Sequence, residues 1–190
     1  LYLNGAKEVI CLEPESDGSS SNMINTFNTL KKELKLKDTI SIQNKTFQDF
    51  DSTGKTFDII LLHNSINHLN EEACVKLKDS SEAQQEYLDI FTKLGLLSSD
   101  NAQLIIADCT RYNIFPLFGM KNPFMNTIEW EKHQSPKVWE KLLNKVGFKK
   151  TKLKWTTFNC LGRIGDKLFS NKLASFFTLS HFQIVLRKTT

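Results

Sequence analysis

The sequence predicts an α/β fold, a doubly wound and mostly parallel sheet with a C-terminal antiparallel strand. Three observations carry this prediction. Short apolar runs at residues 8–13, 40–42, 57–62 and 102–108 alternate with segments of helical period. The run Phe57-Asp58-Ile59-Ile60-Leu61-Leu62 is nearly continuous in apolar residues, as in a parallel strand covered on both faces. After the last clear helical pattern the chain closes with two strand-like segments, 150–155 and 181–187.

The elements follow in order. Val9-Ile10-Cys11-Leu12 is apolar and ends on Glu13, with Pro14 and a serine-rich turn next. Gly5-Ala6-Lys7-Glu8, before it, reads as the tail of a helix, which places a first strand upstream of residue 1. Ser19 to Ser21 offer N-caps for a helix running to about Leu36. Met23, Phe27, Leu30 and Leu34 fall on one of its faces, and Lys31, Lys32 and Lys35 suit the negative end of its dipole. Ile40-Ser41-Ile42 alternates as a short strand. Glu71 onward is helical; Ala83, Tyr87, Ile90, Phe91 and Leu94 form its apolar stripe, and Gly95 closes it. Residues 102–108 form another buried strand. Residues 111–134 have no clean period. Ser135-Pro136 then opens a helix, cap followed by proline, with Val138, Trp139, Leu142, Leu143 and Val146 on its face. Residues 160–178 form an irregular or helical insertion before the last strand.

Composition sets the class. The 190 residues are 40% hydrophobic and 24% charged, ordinary for one globular domain. The net charge of +4 is too mild to argue for nucleic acid. Four cysteines lie scattered without a paired spacing, which predicts reduced, buried thiols and neither a disulfide framework nor a structural zinc site. No apolar run approaches the roughly 20 residues that span a bilayer, and no signal peptide is visible. A cytoplasmic protein without stable membrane insertion is expected.

Chemistry concentrates at the strand ends. Glu13 closes the first visible strand, Asn44-Lys45-Thr46-Phe47 follows the second, and His63-Asn64-Ser65 follows the third. In an open α/β sheet, ligands sit outside the carboxyl ends of the strands. An acid can accept two hydrogen bonds from a ribose diol. A backbone segment with an aromatic suits a base, and polar groups suit a charged tail. The ensemble fits an adenosine-type ligand. Each residue also has a structural explanation: a solvated carboxylate for Glu13, a core aromatic for Phe47, turn and cap duty for His63 and Asn64.

Two stretches carry a family resemblance. Gly5-Ala6-Lys7-Glu8-Val9-Ile10-Cys11-Leu12-Glu13 and Phe57-Asp58-Ile59-Ile60-Leu61-Leu62-His63-Asn64-Ser65-Ile66-Asn67-His68-Leu69 resemble the class I S-adenosylmethionine-dependent methyltransferases, which are Rossmann-like. The order of elements fits across nearly the whole chain. Residues 122–136, from Asn122-Pro123-Phe124 to Ser135-Pro136, also look like bacterial members of that family. The resemblance implies S-adenosylmethionine as cofactor, bound through Glu13, Pro14, Thr46, Phe47, His63 and Asn64, and a small-molecule methyl acceptor. The family's glycine-rich loop does not occur in residues 1–190, so the resemblance places that loop and its strand upstream. Lys45 stands near a position where the family often has an acid; Asp49 or the Thr46-Phe47 backbone could serve instead.

Methyl transfer needs a base only when the acceptor must lose a proton. His68 and His133 are the candidates, since histidine titrates near neutral pH. Asp108, Arg111 and Tyr112 follow a strand end and could face the acceptor, with Arg111 suited to a carboxylate or phosphate. A non-catalytic binding or scaffold module of the same fold is the alternative. A nicotinamide-dependent oxidoreductase is a third reading, disfavoured by the closing antiparallel strand.

Other features complete the expectations. The apolar stretch within 111–134 reads as a substrate cover, with packing on a sheet edge or a membrane-surface contact as rivals. Lys150, Lys152 and Lys154 alternate with Thr151, Leu153 and Trp155, the mark of a strand with a wet, edge-protecting face and not of a nucleic-acid surface. A sheet lacking its first strand exposes two edges, so a homodimer is expected if residue 1 is the true start.

Overall fold

The computed structural model describes residues 4–15, 22–156, 158 and 161–189. Ser19 to Ser21, predicted as caps, and Cys160 lie outside them. The chain divides into two compact units, residues 1–53 and 54–190.

In the first unit β1 (Val9–Leu12) pairs in parallel with β2 (Ile40–Gln43), Val9 opposite Ile40 and Leu12 opposite Gln43. The crossover is α1 (Met23–Glu33), opened by Asn22 in a left-handed conformation. A parallel pair needs such a crossover because a tight turn cannot reverse the chain twice. The predicted apolar stripe of α1 is only partly sheltered. Met23, Leu30 and Leu34 are exposed, and no residue of the helix is buried.

The second unit holds a four-stranded sheet in the order β3-β4-β6-β5. Its strands are β3 (Phe57–His63), β4 (Ser98–Cys109), β5 (Phe148–Trp155) and β6 (His181–Lys188). β3 and β4 are parallel; β6 runs antiparallel to both β4 and β5. The predicted closing antiparallel strand is therefore present, and it lies inside the sheet. β4 and β6 carry the core: Leu104, Ile106, Phe182, Ile184 and Leu186 are fully buried. β3 departs from its expected two-sided burial. Ile59 and Leu61 are exposed, because β3 is an edge strand whose only partner among the described residues is β4.

The helices follow the apolar periods. α2 (Glu71–Lys76) and α3 (Ser81–Leu96) replace the single helix expected from Glu71 onward. The break falls at Ser80, whose hydroxyl accepts the Ala83 N–H as an N-cap. Gly95 does not stop α3. It lies within the helix, where a Cβ would stand 3.6 Å from the Val146 carbonyl, and its own carbonyl accepts Lys188 Nζ. α5 (Pro136–Lys145) packs on α3 and on β5. Tyr87, Phe91 and Trp139 meet there, with ring centroids 5.2–6.1 Å apart and tilted or edge-to-face. All three are fully buried.

β5 is the other edge of the sheet. An irregularity between Lys150 and Lys152 breaks the simple alternation, and Thr151 donates its hydroxyl to the Val185 carbonyl. Lys150 and Lys154 reach Glu140 and Asp166, so the lysine-rich edge is laced by ion pairs.

Residues 111–134 are more ordered than their lack of period suggests. α4 (Ile114–Leu117) is capped by Asn113, whose side-chain oxygen accepts the Phe115 N–H. Its amide donates to the Thr178 carbonyl and to Ser180 Oγ. Asn122 donates to the same Thr178 carbonyl at 2.8 Å. The insertion at 160–178 contains α6 (Gly162–Phe169) and α7 (Lys172–Phe177). No helix among the described residues is long and apolar enough to cross a membrane.

Candidate functional site

The predicted residues fall into two groups, one in each unit. In the first, the Glu13 N–H donates to the Gln43 carbonyl at 3.0 Å. Glu13, Pro14 and the segment carrying Thr46 and Phe47 therefore leave the same carboxyl end of the paired strands. The Glu13 carboxylate accepts the Glu15 N–H at 3.3 Å. The Thr46 hydroxyl donates to Asp49 Oδ2 at 2.7 Å and accepts the Asp49 N–H at 3.1 Å. That reciprocal pair fixes the turn after β2.

In the second unit a cavity of about 150 Å³ opens at the carboxyl ends of β3 and β4. Asn64, Asn67 and His68 line it from the turn after β3, Cys109 from β4, and residues 125–133 from the other side. Parallel strands bring this about: Asn64 N–H donates to the Ala107 carbonyl, continuing the β3–β4 ladder beyond its last pair. His63 is exposed at the end of β3 and is not part of the lining. His68 and His133, 65 positions apart in sequence by their numbers, face one space.

His133 is buried, and its Nδ1 lies 3.1 Å from Oδ1 of the fully buried Asp108. The same oxygen accepts the Cys109 N–H at 2.7 Å. Asp108 Oδ2 is buried and has no hydrogen-bond partner. A carboxylate on Nδ1 selects the tautomer protonated there and leaves Nε2 as a proton acceptor.

The loop that carries His133 is clamped. Arg111 donates from Nε to the His133 carbonyl at 2.8 Å and from Nη2 to the Glu131 carbonyl at 2.7 Å. The Cys74 thiol donates to the intervening Lys132 carbonyl, and Gln134 Nε2 donates to the Cys74 carbonyl at 2.6 Å. Burial pushes the Cys74 thiol up to about 12, which keeps its proton in place for that bond. Three successive carbonyls are thus held, and the imidazole sits on a fixed backbone. Arg111 is committed to this clamp, a different duty from the anion binding expected of it.

His68 lies on the exposed rim, its Nδ1 against Glu71. Lys132 bridges Glu71 and Glu129 at 2.8 Å each. The Lys132 ammonium, with His68 second, holds the Glu71 carboxyl below its ordinary range. Tyr112 lies apart from the cavity lining and is exposed; Lys78 donates to its phenol oxygen at 2.6 Å and lowers its pKa.

His181 was not singled out from the sequence. Its Nδ1 pairs with the Thr156 hydroxyl at 2.7 Å and its Nε2 lies 3.4 Å from Asn64 Oδ1. Burial pushes its imidazole below the ordinary 6.5. Burial favours the neutral ring in the folded chain. Stability contributed by that preference is full above the unfolded value and declines as pH falls through it, because the unfolded chain takes up a proton that the buried ring resists. Urea midpoints compared at about pH 7.5 and about pH 5.5 should show a larger acid loss in the wild type than in His181→Gln. Equal losses would remove His181 from the pH response.

No family model matches the chain. No curated protein matches it. Solved structures do. A protein of Listeria monocytogenes assigned as an S-adenosylmethionine-dependent methyltransferase matches with a TM-score of 0.62 and 13% identity, over 100% of this chain and 83% of that one. The N-methyltransferase NodS of Bradyrhizobium japonicum WM9, in complex with S-adenosylhomocysteine, gives 0.54 and 8% identity over 97% and 68%. The [4+2]-cyclase SpnF gives 0.56 and 9% identity over 96% and 66%. The fold is therefore the Rossmann-like fold of class I S-adenosylmethionine-dependent methyltransferases. One fold that carries both a methyltransferase and a cyclase leaves activity to be argued from the site.

Proposed function

We propose that the chain is an S-adenosylmethionine-dependent methyltransferase domain acting on a small molecule whose nucleophile carries an O–H or N–H proton. The observation that carries this reading is the buried His133–Asp108 pair opening on a cavity at the strand ends. This is where open α/β folds place their ligands. The neighbour NodS holds S-adenosylhomocysteine on the same fold.

The residues present fit the cofactor in part through their chemistry. Glu13, with Pro14 after it, offers a carboxylate at a strand end, the acceptor a ribose diol requires. The Thr46 and Phe47 segment leaves the same end of the paired strands and suits the adenosine. In the second unit, Asn64 offers a polar side chain to a ligand in its own cavity. When bound, the cofactor supplies an electrophilic methyl on a sulfonium.

The remaining work falls to the chain. The cavity aligns the acceptor, and alignment is the main contribution to a direct displacement. His133 Nε2 takes the acceptor's proton as the nucleophile attacks, and Asp108 stabilises the imidazolium that forms. His68 is the second candidate; it lies on the exposed rim, and its partner Glu71 is shared with Lys132. At about 150 Å³ the cavity admits a reacting group and not a whole drug-sized ligand. A compact polar acceptor fits best.

Calorimetry with S-adenosylhomocysteine tests the cofactor assignment. The chain is expected to bind it, and Glu13→Ala to weaken binding by about tenfold or more, the worth of hydrogen bonds to a charged acceptor. Absence of heat at millimolar ligand, from this chain and from a version extended upstream, would sink the methyltransferase reading. Binding without transfer to any acceptor would favour the scaffold alternative.

A further inference from the structure

Helix α6 turns its apolar side chains to solvent. Leu161, Ile164, Leu168 and Phe169 recur at spacings of three and four or adjoin that stripe, and all are exposed, Ile164 at 74%. Gly165 is the only residue of the helix that is buried. In α7, Leu173 and Phe177 stand four apart and are also exposed, Leu173 at 69%. At the end of α4, Leu117 and Phe118 are 71% and 68% exposed. Single exposed apolar residues need no explanation, but clusters of this extent do.

These segments are tied together. α4 packs against α7. Asn113 and Asn122, which flank α4, both donate to the Thr178 carbonyl just past α7. The Phe124 ring meets those of Phe115 and Phe158, with centroids 6.2 and 5.0 Å away.

The charges around them have one sign. Lys121, Arg163, Lys167 and Lys172 are exposed, and none has a carboxylate partner among the described residues. Asp166 is the sole acid in residues 112–126 and 161–180. It is held at 2.6 Å by Lys154 of β5 and also accepts from Ser170. Arg163 and Lys167 lie one turn apart on the polar side of α6. Bulky apolar residues on one side of a helix and cations on the other mark a helix that lies in a membrane interface.

We propose that this surface docks peripherally on an anionic lipid bilayer. The apolar side chains enter the headgroup boundary, and the four cations meet lipid phosphates. A second copy is a poorer occupant. A two-fold interface would set the same unpaired cations against one another, with the one local acid already engaged. The proposal concerns a lipid surface and stands apart from the cofactor assignment.

The test uses the full chain and vesicle flotation. Vesicles of phosphatidylcholine alone are compared with vesicles that also contain phosphatidylglycerol. The chain is expected to float with the anionic vesicles and to be released at high salt. Two variants probe the two contributions: Ile164→Ser with Leu168→Ser, and Arg163→Gln with Lys167→Gln and Lys172→Gln. Each is expected to lower partitioning about tenfold or more. All five side chains are exposed, so circular dichroism should be unchanged. No binding to anionic vesicles, equal binding to neutral ones, or full binding by both variants would overturn the proposal. So would a solution dimer that the Ile164→Ser, Leu168→Ser variant splits while vesicles capture nothing.

Discussion

Trp139→Ala is expected to cost about 3–5 kcal/mol of folding stability. Trp139 is fully buried between α3 and α5, and its ring contacts both Tyr87 and Phe91. Truncation removes the largest side chain of that cluster and leaves a cavity that two rigid rings cannot fill. A typical domain has about 5–15 kcal/mol in all, so the variant should unfold at a much lower urea concentration. Trp139→Phe is the informative comparison. The indole N–H is buried without a partner, so phenylalanine loses volume and also removes an unsatisfied donor. Its loss should be well below that of the alanine variant. A midpoint shift for Trp139→Ala equivalent to under about 1 kcal/mol would show that the cluster does not hold the second unit together.

His133→Gln is expected to slow methyl transfer by about 10²–10⁴-fold, the usual contribution of a positioned general base. Affinity for S-adenosylhomocysteine should be unchanged, because the substitution touches the acceptor side alone. Asp108→Asn should also slow transfer, since an amide can present its N–H to the ring and favour the wrong tautomer. The readout is labelled methyl passed from S-adenosylmethionine to the phenols, hydroxy acids or amines that the wild type accepts. Full activity in that variant would remove His133 as base and turn attention to His68.

The second unit's strands were legible because their signals are local. Residues 57–62, 102–108 and 181–187 each announce a strand by apolar density, and each lies within an observed one. The start of β4 was not legible. Ser98-Ser99-Asp100-Asn101 is polar, with Asn101 left-handed, and it pairs only because Phe57 meets Ser98 across an irregular register. The burial of β3 was misjudged for a related reason. Apolar density says that a strand can be covered, whereas sheet order decides whether it is. The α2–α3 break had a signal in Ser80, which the continuous stripe from Ala83 onward obscured.

At the site, residue types at strand ends were readable, and their partnerships were not. Nothing in sequence joins His133 to Asp108, 25 positions away, or commits Arg111 to the carbonyls of residues 131 and 133. Such links depend on the path of a loop without period. The clue was indirect. The stretch 122–136 is polar around His133 yet also carries Pro123, Phe124, Trp130 and Pro136, an unusual mixture for an idle connection.

One carbonyl, that of Thr178, receives the amides of both Asn113 and Asn122. A carbonyl oxygen has two lone pairs, so this acceptor is saturated. Parting the α4 loop from the end of α7 costs both of these bonds. The loop that carries α4 is thus pinned from both of its ends to one point just past α7.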